Sequence, residues 1–195
     1  MPYDVWNGCS YLSIDPGINV TGFARYKITN TGQLQLLDFG AIKPPTSYKT
    51  LEQVRYITGA LKLYTTRHRF AWAFVENPPD TVYEGNKRGM NYMIARAQSI
   101  FKLVGVAYSI YQMLADANVI VRPVLPAEWQ ERSKKKRGGE DIKSWSLGYA
   151  NSVLQSTDLN FTGRVPYLQS KIDENIADAI SLGHLARIKG FSPAD

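Results

Sequence analysis

The chain has 195 residues, of which 44% are hydrophobic, so residues 1–195 are sufficient for one domain with a substantial core. The formal net charge of +6 favours a polyanionic partner, with nucleic acid ahead of an anionic membrane. The single cysteine, Cys9, excludes an internal disulfide. Since neither a signal peptide nor an apolar run of about 18 residues is visible, we expect a soluble intracellular protein without a membrane span.

The first part of the chain predicts strands. Three runs, residues 11–14, 20–28 and 34–42, have strand-like patterns and are joined by the turn-forming pieces GINV and TNTG. They predict an antiparallel meander. After the break KPPTSYK, Thr50–Arg67 has helical periodicity, and AWAFVE, residues 71–76, follows as a short apolar run. Because a helix precedes it, this run predicts a buried strand parallel to the first.

The second part of the chain predicts mostly helices. Residues 91–117 form a long helical pattern, NVIVRPV predicts a strand, and the polar stretch ERSKKKRGGEDIK precedes two further helices at 145–154 and 175–188. The order of these elements predicts an α/β fold, in which helices pack on a mixed five-stranded sheet.

Three carboxylates occur where burial makes them costly. Asp15 ends the first strand and Glu76 ends the fourth, so parallel neighbouring strands would bring both to one edge of the sheet. Asp178 lies in the otherwise apolar stretch ADAISLGHLA. A hard cation such as Mg²⁺ would relieve their repulsion, and two such ions can clamp the attacking and leaving oxygens of a phosphodiester. Each acid also has an ordinary interpretation, as a turn former, a strand-end charge or a local helix partner.

The motifs together resemble the RuvC family of Holliday-junction resolvases, within the ribonuclease H-like superfamily. SIDPGINVTGFARY resembles the family's opening motif, FVENPP its second acidic strand and NIADAISLGHLA its C-terminal acidic helix. ARAQSIFKLVGVAYSI and VRPVLPAEWQ resemble the segments between them. The resemblance extends from about Leu12 to Arg187 and is closest to divergent, phage-like members.

The resemblance implies a ribonuclease H-like fold with helices on both faces of the sheet. It also implies a homodimeric, Mg²⁺-dependent endonuclease of DNA recombination and repair that resolves four-way junctions by paired symmetric nicks. Such an enzyme would be cytoplasmic, in the host cytoplasm if it is phage-encoded. Asp15, Glu76 and Asp178 match the catalytic acids, and two Mg²⁺ ions are expected among them, with Mn²⁺ able to substitute. The motifs leave open a related nuclease that acts on flaps, forks or other branched nucleic acid.

The chain departs from the family pattern at two places. The family often has Asp or His at the position of Asn175, so we expect the fourth metal ligand to be Asn175 or Glu174, with Asn175 favoured by its alignment. The family can also have a wedging aromatic at the position of Pro79, for which Tyr83 is the nearest substitute here.

Basic residues near the predicted acids are expected to contact DNA phosphates, because they would offset the repulsion between the carboxylates and DNA. A solvated loop is the ordinary alternative for the densest run. The expected contacts are Arg88, Arg132, Lys134, Lys135, Lys136, Arg137 and Lys143.

Overall fold

The structure, a computed structural model, describes residues 8–78, 90–130, 141–156, 168 and 171–191. The strands in this part of the chain are β1 (Ser10–Asp15), β2 (Thr21–Ile28), β3 (Leu34–Ile42), β4 (Trp72–Glu76) and β5 (Ile120–Val124). The helices are α1 (Thr50–Arg67), α2 (Met90–Asp116), α3 (Pro126–Trp129), α4 (Ile142–Gln155) and α5 (Lys171–Ile188).

The strands form one mixed five-stranded sheet in the order β3-β2-β1-β4-β5. β1, β2 and β3 are antiparallel neighbours, whereas β4 pairs in parallel with both β1 and β5. In the β1–β4 register, Ile14 lies opposite Val75, so the two strands end at the same edge of the sheet. The predicted meander and the predicted parallel fourth strand are both confirmed.

Helices cover both faces of the sheet because successive strand side chains point to opposite sides. Tyr11 of β1 and Phe74 of β4 belong to the core that packs against α4 and α5. Leu12 and Val75 belong to a second core that packs against α1 and α2. Burial on both faces explains why β4 is apolar from Trp72 to Val75, as the sequence pattern indicated, and why β1 is apolar at Tyr11, Leu12 and Ile14.

Two helices begin earlier than their apolar spacing predicts. α4 begins at Ile142 because the Asp141 side chain accepts hydrogen bonds from the backbone amides of Lys143 and Ser144. α5 begins at Lys171, in a polar first turn that contains Asp173. α3 was not predicted, since four residues are too few to show helical periodicity.

Within the described part of the chain, no helix is long and apolar enough to cross a membrane.

Candidate active site

Strand alternation places two of the predicted acids on one face of the sheet. Asp15 is in phase with Tyr11 of β1, and Glu76 is in phase with Phe74 of β4; both of these aromatic residues face α5. Because β1 and β4 are parallel neighbours, Asp15 and Glu76 emerge side by side under α5. Asp178 of α5 joins them, since its carboxylate contributes to the raised pKa of each.

A closed turn follows Asp15. The Gly17 amide donates to Thr21 Oγ1 over 3.3 Å, and the Thr21 hydroxyl donates back to the Gly17 carbonyl over 2.8 Å. This pair of bonds returns the chain directly into β2 and fixes the backbone just beyond the acid. The threonine of the opening motif therefore has a structural role beside Asp15.

The glycine that follows this threonine lets α5 touch the sheet. A Cβ atom on Gly22 would lie 1.9 Å from the Asn175 carbonyl oxygen, so no larger side chain fits there without moving the helix. Three buried hydroxyls of β1 and β2 then donate to carbonyls of α5: Tyr11 to Gly183 over 2.9 Å, Ser13 to Ala179 over 2.7 Å and Tyr26 to Ile180 over 2.7 Å. These contacts hold the helix that carries Asp178 in a fixed position over β1.

Burial raises the pKa of all three acids, and a neighbouring carboxylate raises each of them further. Burial raises the pKa of Asp15 well above its usual value, and the charges of Glu76 and Asp178 raise it further. Burial, with the charge of Asp178, raises the pKa of Glu76 to about 8. Burial is also the main cause that raises the pKa of Asp178 to about 6. Such perturbed carboxyls at the carboxyl end of parallel strands are typical of a functional site.

Two hydrogen-bond donors at the site were not predicted. Trp129 of α3 is buried, and its indole Nε1 donates to Glu76 Oε2 over 2.9 Å. Ser146 of α4 is also buried, and its hydroxyl donates to Asp178 Oδ1. Each bond favours the charged carboxylate and partly opposes the effect of burial on its pKa. The polar residues of α3 and α4 therefore orient two of the three acids.

The two candidates for a fourth ligand have different partners. With its nitrogen facing the nearby acceptors, the Asn175 amide donates to Asp15 Oδ2 over 3.1 Å and to the Val20 carbonyl over 3.2 Å. Glu174 instead accepts a 2.7 Å hydrogen bond from the ammonium group of Lys143, whose side chain is 73% exposed. Asn175 thus contacts the central acid, while Glu174 lies at the solvent side of the site with a predicted DNA-binding lysine.

The structure places one of the predicted DNA contacts, Lys143, at the first turn of α4. The others lie outside the described residues, as do Pro79 and Tyr83. The predicted DNA contacts outside the described residues are Arg88, Arg132, Lys134, Lys135, Lys136 and Arg137.

Oxygen donors dominate the site, and this suits a hard divalent cation. Among the described residues, no group of three or more acidic, histidine or cysteine side chains is placed so that it could hold a metal ion. The carboxylates nevertheless have the chemistry that such an ion requires, because burial and mutual repulsion leave them in need of positive charge.

Comparison with solved structures identifies the fold. Thermus thermophilus RuvC in complex with a Holliday junction substrate matches 93% of this chain and 96% of its own, with a TM-score of 0.58 and 18% identity. A second structure of T. thermophilus RuvC matches 92% of this chain and 96% of its own, with a TM-score of 0.56 and 19% identity. The yeast mitochondrial Holliday junction resolvase, Ydc2, matches 96% of this chain and 85% of its own, with a TM-score of 0.48 and 9% identity.

No protein-family model matches the sequence, and no curated protein matches it. The structural likeness to RuvC covers nearly the whole of both chains and confirms the predicted ribonuclease H-like α/β fold, with a mixed five-stranded sheet and helices on both faces.

Proposed function

We propose that this chain is a metal-dependent endonuclease that resolves four-way DNA junctions. The observation that carries the proposal is the meeting of Asp15, Glu76 and Asp178 at the edge of a RuvC-like sheet, where burial raises the pKa of each acid and the charge of Asp178 raises that of the other two further. The basic net charge of +6 supports a polyanionic substrate. One of the matched RuvC structures is bound to a Holliday junction, which supports this substrate class for the present chain.

The three acids would hold divalent metal, Mg²⁺ first and Mn²⁺ as a substitute. When bound, two such ions would supply an activated water and stabilise the charge of the leaving oxygen. Asn175 contributes by holding Asp15, with which its amide is already in contact. Trp129 and Ser146 contribute by fixing the carboxylates of Glu76 and Asp178.

Lys143 would bind a phosphate at the entrance to the site. Its ammonium group is exposed and is held beside Asp178 by Glu174. An exposed ion pair of this kind is worth only about 0–1 kcal/mol, so a DNA phosphate can compete with Glu174 for the lysine. The basic residues from Arg132 to Arg137 would add phosphate contacts that position the DNA without reading its sequence.

A second copy of the chain would complete the enzyme. A four-way junction presents two equivalent strands, so paired nicks require two active sites, and a twofold dimer supplies them through one interface. α2 exposes three large apolar side chains at intervals of two helical turns, namely Ile94, Phe101 and Tyr108, which are 49%, 74% and 64% exposed. We infer that this stripe is the dimer interface.

Cleavage of matched substrates tests the proposed function. A four-way junction and a flap of equal sequence are incubated with the protein, with and without Mg²⁺. We expect paired nicks in the junction only with the metal, and loss of nicking in Asp15→Asn and Glu76→Gln while junction binding remains. Asp116→Asn, which removes an exposed acid of α2 outside the site, is the matched control and should cleave normally.

Each other outcome has a defined meaning. Preferential cleavage of the flap would favour the alternative, a nuclease for other branched nucleic acid on the same fold. Normal nicking by Asp15→Asn would reject the assignment of the active site, and absence of cleavage of every substrate would reject the nuclease function.

A further inference from the structure

α4 and α5 lie side by side and run in the same direction. Their contacts advance together along both helices, by three residues at each step on α4 and by four and then six residues on α5. The contacting pairs are Lys143 with Glu174, Ser146 with Asp178, and Tyr149 with His184. The first two pairs belong to the active site, whereas the function proposed above gives the third no role.

The third pair belongs to a row of three rings on this helix pair. Trp145 stacks on Tyr149 with ring centroids 5.4 Å apart and an interplanar angle of 28°. Tyr149 in turn contacts His184 with centroids 5.8 Å apart, and its hydroxyl oxygen lies 2.8 Å from His184 Nδ1. The row runs from Trp145 of α4 to His184 of α5.

A cavity of about 330 Å³ lies at the far end of this row. Its volume is near the lower limit for small-molecule sites and suits a single nucleoside. Residues from the β2–β3 turn, α4 and α5 line it: Gln33, Leu34, Tyr149, Ser152, Val153, Ser156 and His184. Since none of these described residues is charged, the cavity favours an uncharged, planar ligand with polar edges over a phosphate.

The polar groups of the cavity retain hydrogen-bonding capacity. Burial raises the pKa of Tyr149 to about 12 and lowers that of His184, so at neutral pH the hydroxyl is protonated and the imidazole is neutral. In the tautomer that carries its proton on Nε2, the Tyr149 hydroxyl donates to Nδ1 and the His184 Nε2–H remains a donor. The exposed Gln33 amide adds both a donor and an acceptor.

We propose that the ring row and its cavity form a stacking subsite for one unpaired base of the DNA substrate. Aromatic side chains bind bases of any sequence through their faces, and polar groups at the base edge adjust the preference. Six residues separate Asp178 from His184, or about 9 Å along the helix axis at 1.5 Å per residue. This length corresponds to about two to three base steps of 3.4 Å. It is the shortest separation between the bound base and the cleaved phosphate, because Gln33 and Leu34 line the cavity at the end of β2 and β3 that is remote from Asp15.

The proposal rests on the proposed function for its DNA substrate. A free nucleoside offers the same planar heterocycle as a base of the bound strand, so the test must separate these two sources. Asp15→Asn protein serves as the background for every measurement, because it is expected to bind the junction without cutting it.

The experiment places 2-aminopurine at single positions of a four-way junction, from one to five nucleotides from the nick. We expect its fluorescence to change on protein binding at the position that enters the cavity, which is at least about two to three nucleotides from the nick. Trp145→Ala and Tyr149→Ala should abolish this change, and each should weaken junction binding by about fivefold or more, since one stacked base contributes about 1–3 kcal/mol.

Two further variants separate stacking from folding. Tyr149→Phe keeps the ring and should keep the fluorescence change even though it loses the hydrogen bond to His184. Tyr56→Ala is the matched control, because it removes a partly exposed aromatic of α1 on the other face of the sheet and should leave binding unchanged. Melting temperatures verify that each variant is folded.

The outcomes distinguish this proposal from the proposed function. If the wild-type junction complex forms and cleaves but no 2-aminopurine position changes, the subsite is rejected and the nuclease function stands. If 2-aminopurine riboside binds and Tyr149→Ala abolishes that binding without affecting the junction, the site belongs to a free nucleoside and the DNA assignment is overturned. If the Asp15→Asn protein binds no junction, the basis of both proposals is lost.

Discussion

The surroundings of Glu76 disfavour the charged form of its carboxyl group. Its strand is buried on both faces, the Asp178 carboxylate repels it, and the Trp129 indole supplies one compensating hydrogen bond. The net effect is a pKa of about 8, against 4.5 for an ordinary glutamate. A carboxyl in this state exchanges its proton for a metal ion readily, and the stability of the protein should reveal the exchange.

The first prediction concerns the stability of the metal-free protein. Between pH 4.5 and about 8, the folded state retains the Glu76 proton that the unfolded chain has released. The free energy of unfolding should therefore fall by a few kcal/mol as pH rises through this range. Melting temperatures measured in chelator should be higher near pH 5 than near pH 8, and Mg²⁺ should raise them more at pH 8.

The same prediction has a direct control. Glu76→Gln should melt higher than wild type at pH 8 without metal and should show a smaller dependence on pH, whereas Asp116→Asn should behave as wild type. A metal-free melting temperature that rises from pH 5 to pH 8 would contradict the perturbation assigned to these acids.

The second prediction concerns the fourth ligand. Asn175 already contacts Asp15, and the same amide turned over would present its oxygen to a cation. Glu174 would first have to break its ion pair with Lys143 before it could bind a cation. We therefore expect Asn175→Ala to raise the Mg²⁺ concentration needed for half-maximal nicking more than Glu174→Ala does. The reverse order would assign the ligand to Glu174, and no effect from either would mean that three protein ligands suffice.

At the scale of elements, the position of α5 decides whether the three acids meet. Asp15 and Glu76 are fixed by neighbouring strands, but Asp178 depends on how a helix packs across β1 and β2. Gly22 sets the closest approach, because its missing side chain is the space that the backbone at Asn175 occupies. The candidate active site is therefore sensitive to a position that contains no functional group.

The third prediction tests this close packing. Gly22→Ala adds a Cβ that would lie 1.9 Å from the Asn175 carbonyl oxygen, so α5 must move away from the sheet. We expect a loss of about 1–3 kcal/mol of stability and a large loss of nicking. Gly59→Ala in α1 is the control, since a Cβ atom at this position meets nothing within 4 Å. This substitution should be neutral or should stabilise the protein by about 1 kcal/mol. Equal stability of both variants would mean that α5 does not depend on this contact.

The same elements show what the sequence can predict. Asp15 and Glu76 could be placed together because period-two alternation and a parallel crossover are local patterns that fix a strand end. The roles of Trp129 and Ser146 could not be predicted in this way. Each donates to an acid that is distant in sequence, 53 and 32 residues away respectively, and tertiary packing brings them together. The Asp141 cap could have been predicted from the sequence, because an aspartate before a helical run is a recognised signal for the start of a helix. The regular apolar spacing of this helix begins only at Trp145, so its first turn shows no helical periodicity.

At the scale of the whole molecule, the proposed function requires the net charge of +6 to bring DNA to an acidic site. The fourth prediction replaces Lys134, Lys135 and Lys136 with alanine. Junction affinity should fall, and the slope of log affinity against log salt should decrease in magnitude by about 0.9 for each lost phosphate contact. A control that neutralises Lys49, Arg55 and Lys62 around α1 removes equal charge elsewhere. If the two triple variants behave alike, the basic run acts only through net charge and does not contact the DNA.

The last prediction concerns the pairing of two copies through α2. Phe101 is the most exposed of the three large apolar side chains in the stripe, so Phe101→Glu would place a charge at the centre of the proposed interface. We expect sedimentation to change from dimer to monomer, because two symmetry-related glutamates would face each other across the twofold axis.

Junction cleavage by this variant should then change in kind as well as in rate. A monomer retains Asp15, Glu76 and Asp178 and can still nick one strand, but the two nicks should become uncoupled in time. Leu63→Glu, at an exposed leucine of α1 outside the stripe, is the matched control and should remain a dimer that nicks in pairs. A monomeric wild-type protein on the junction, or an unaltered dimer of Phe101→Glu, would place the interface elsewhere or reject paired action altogether.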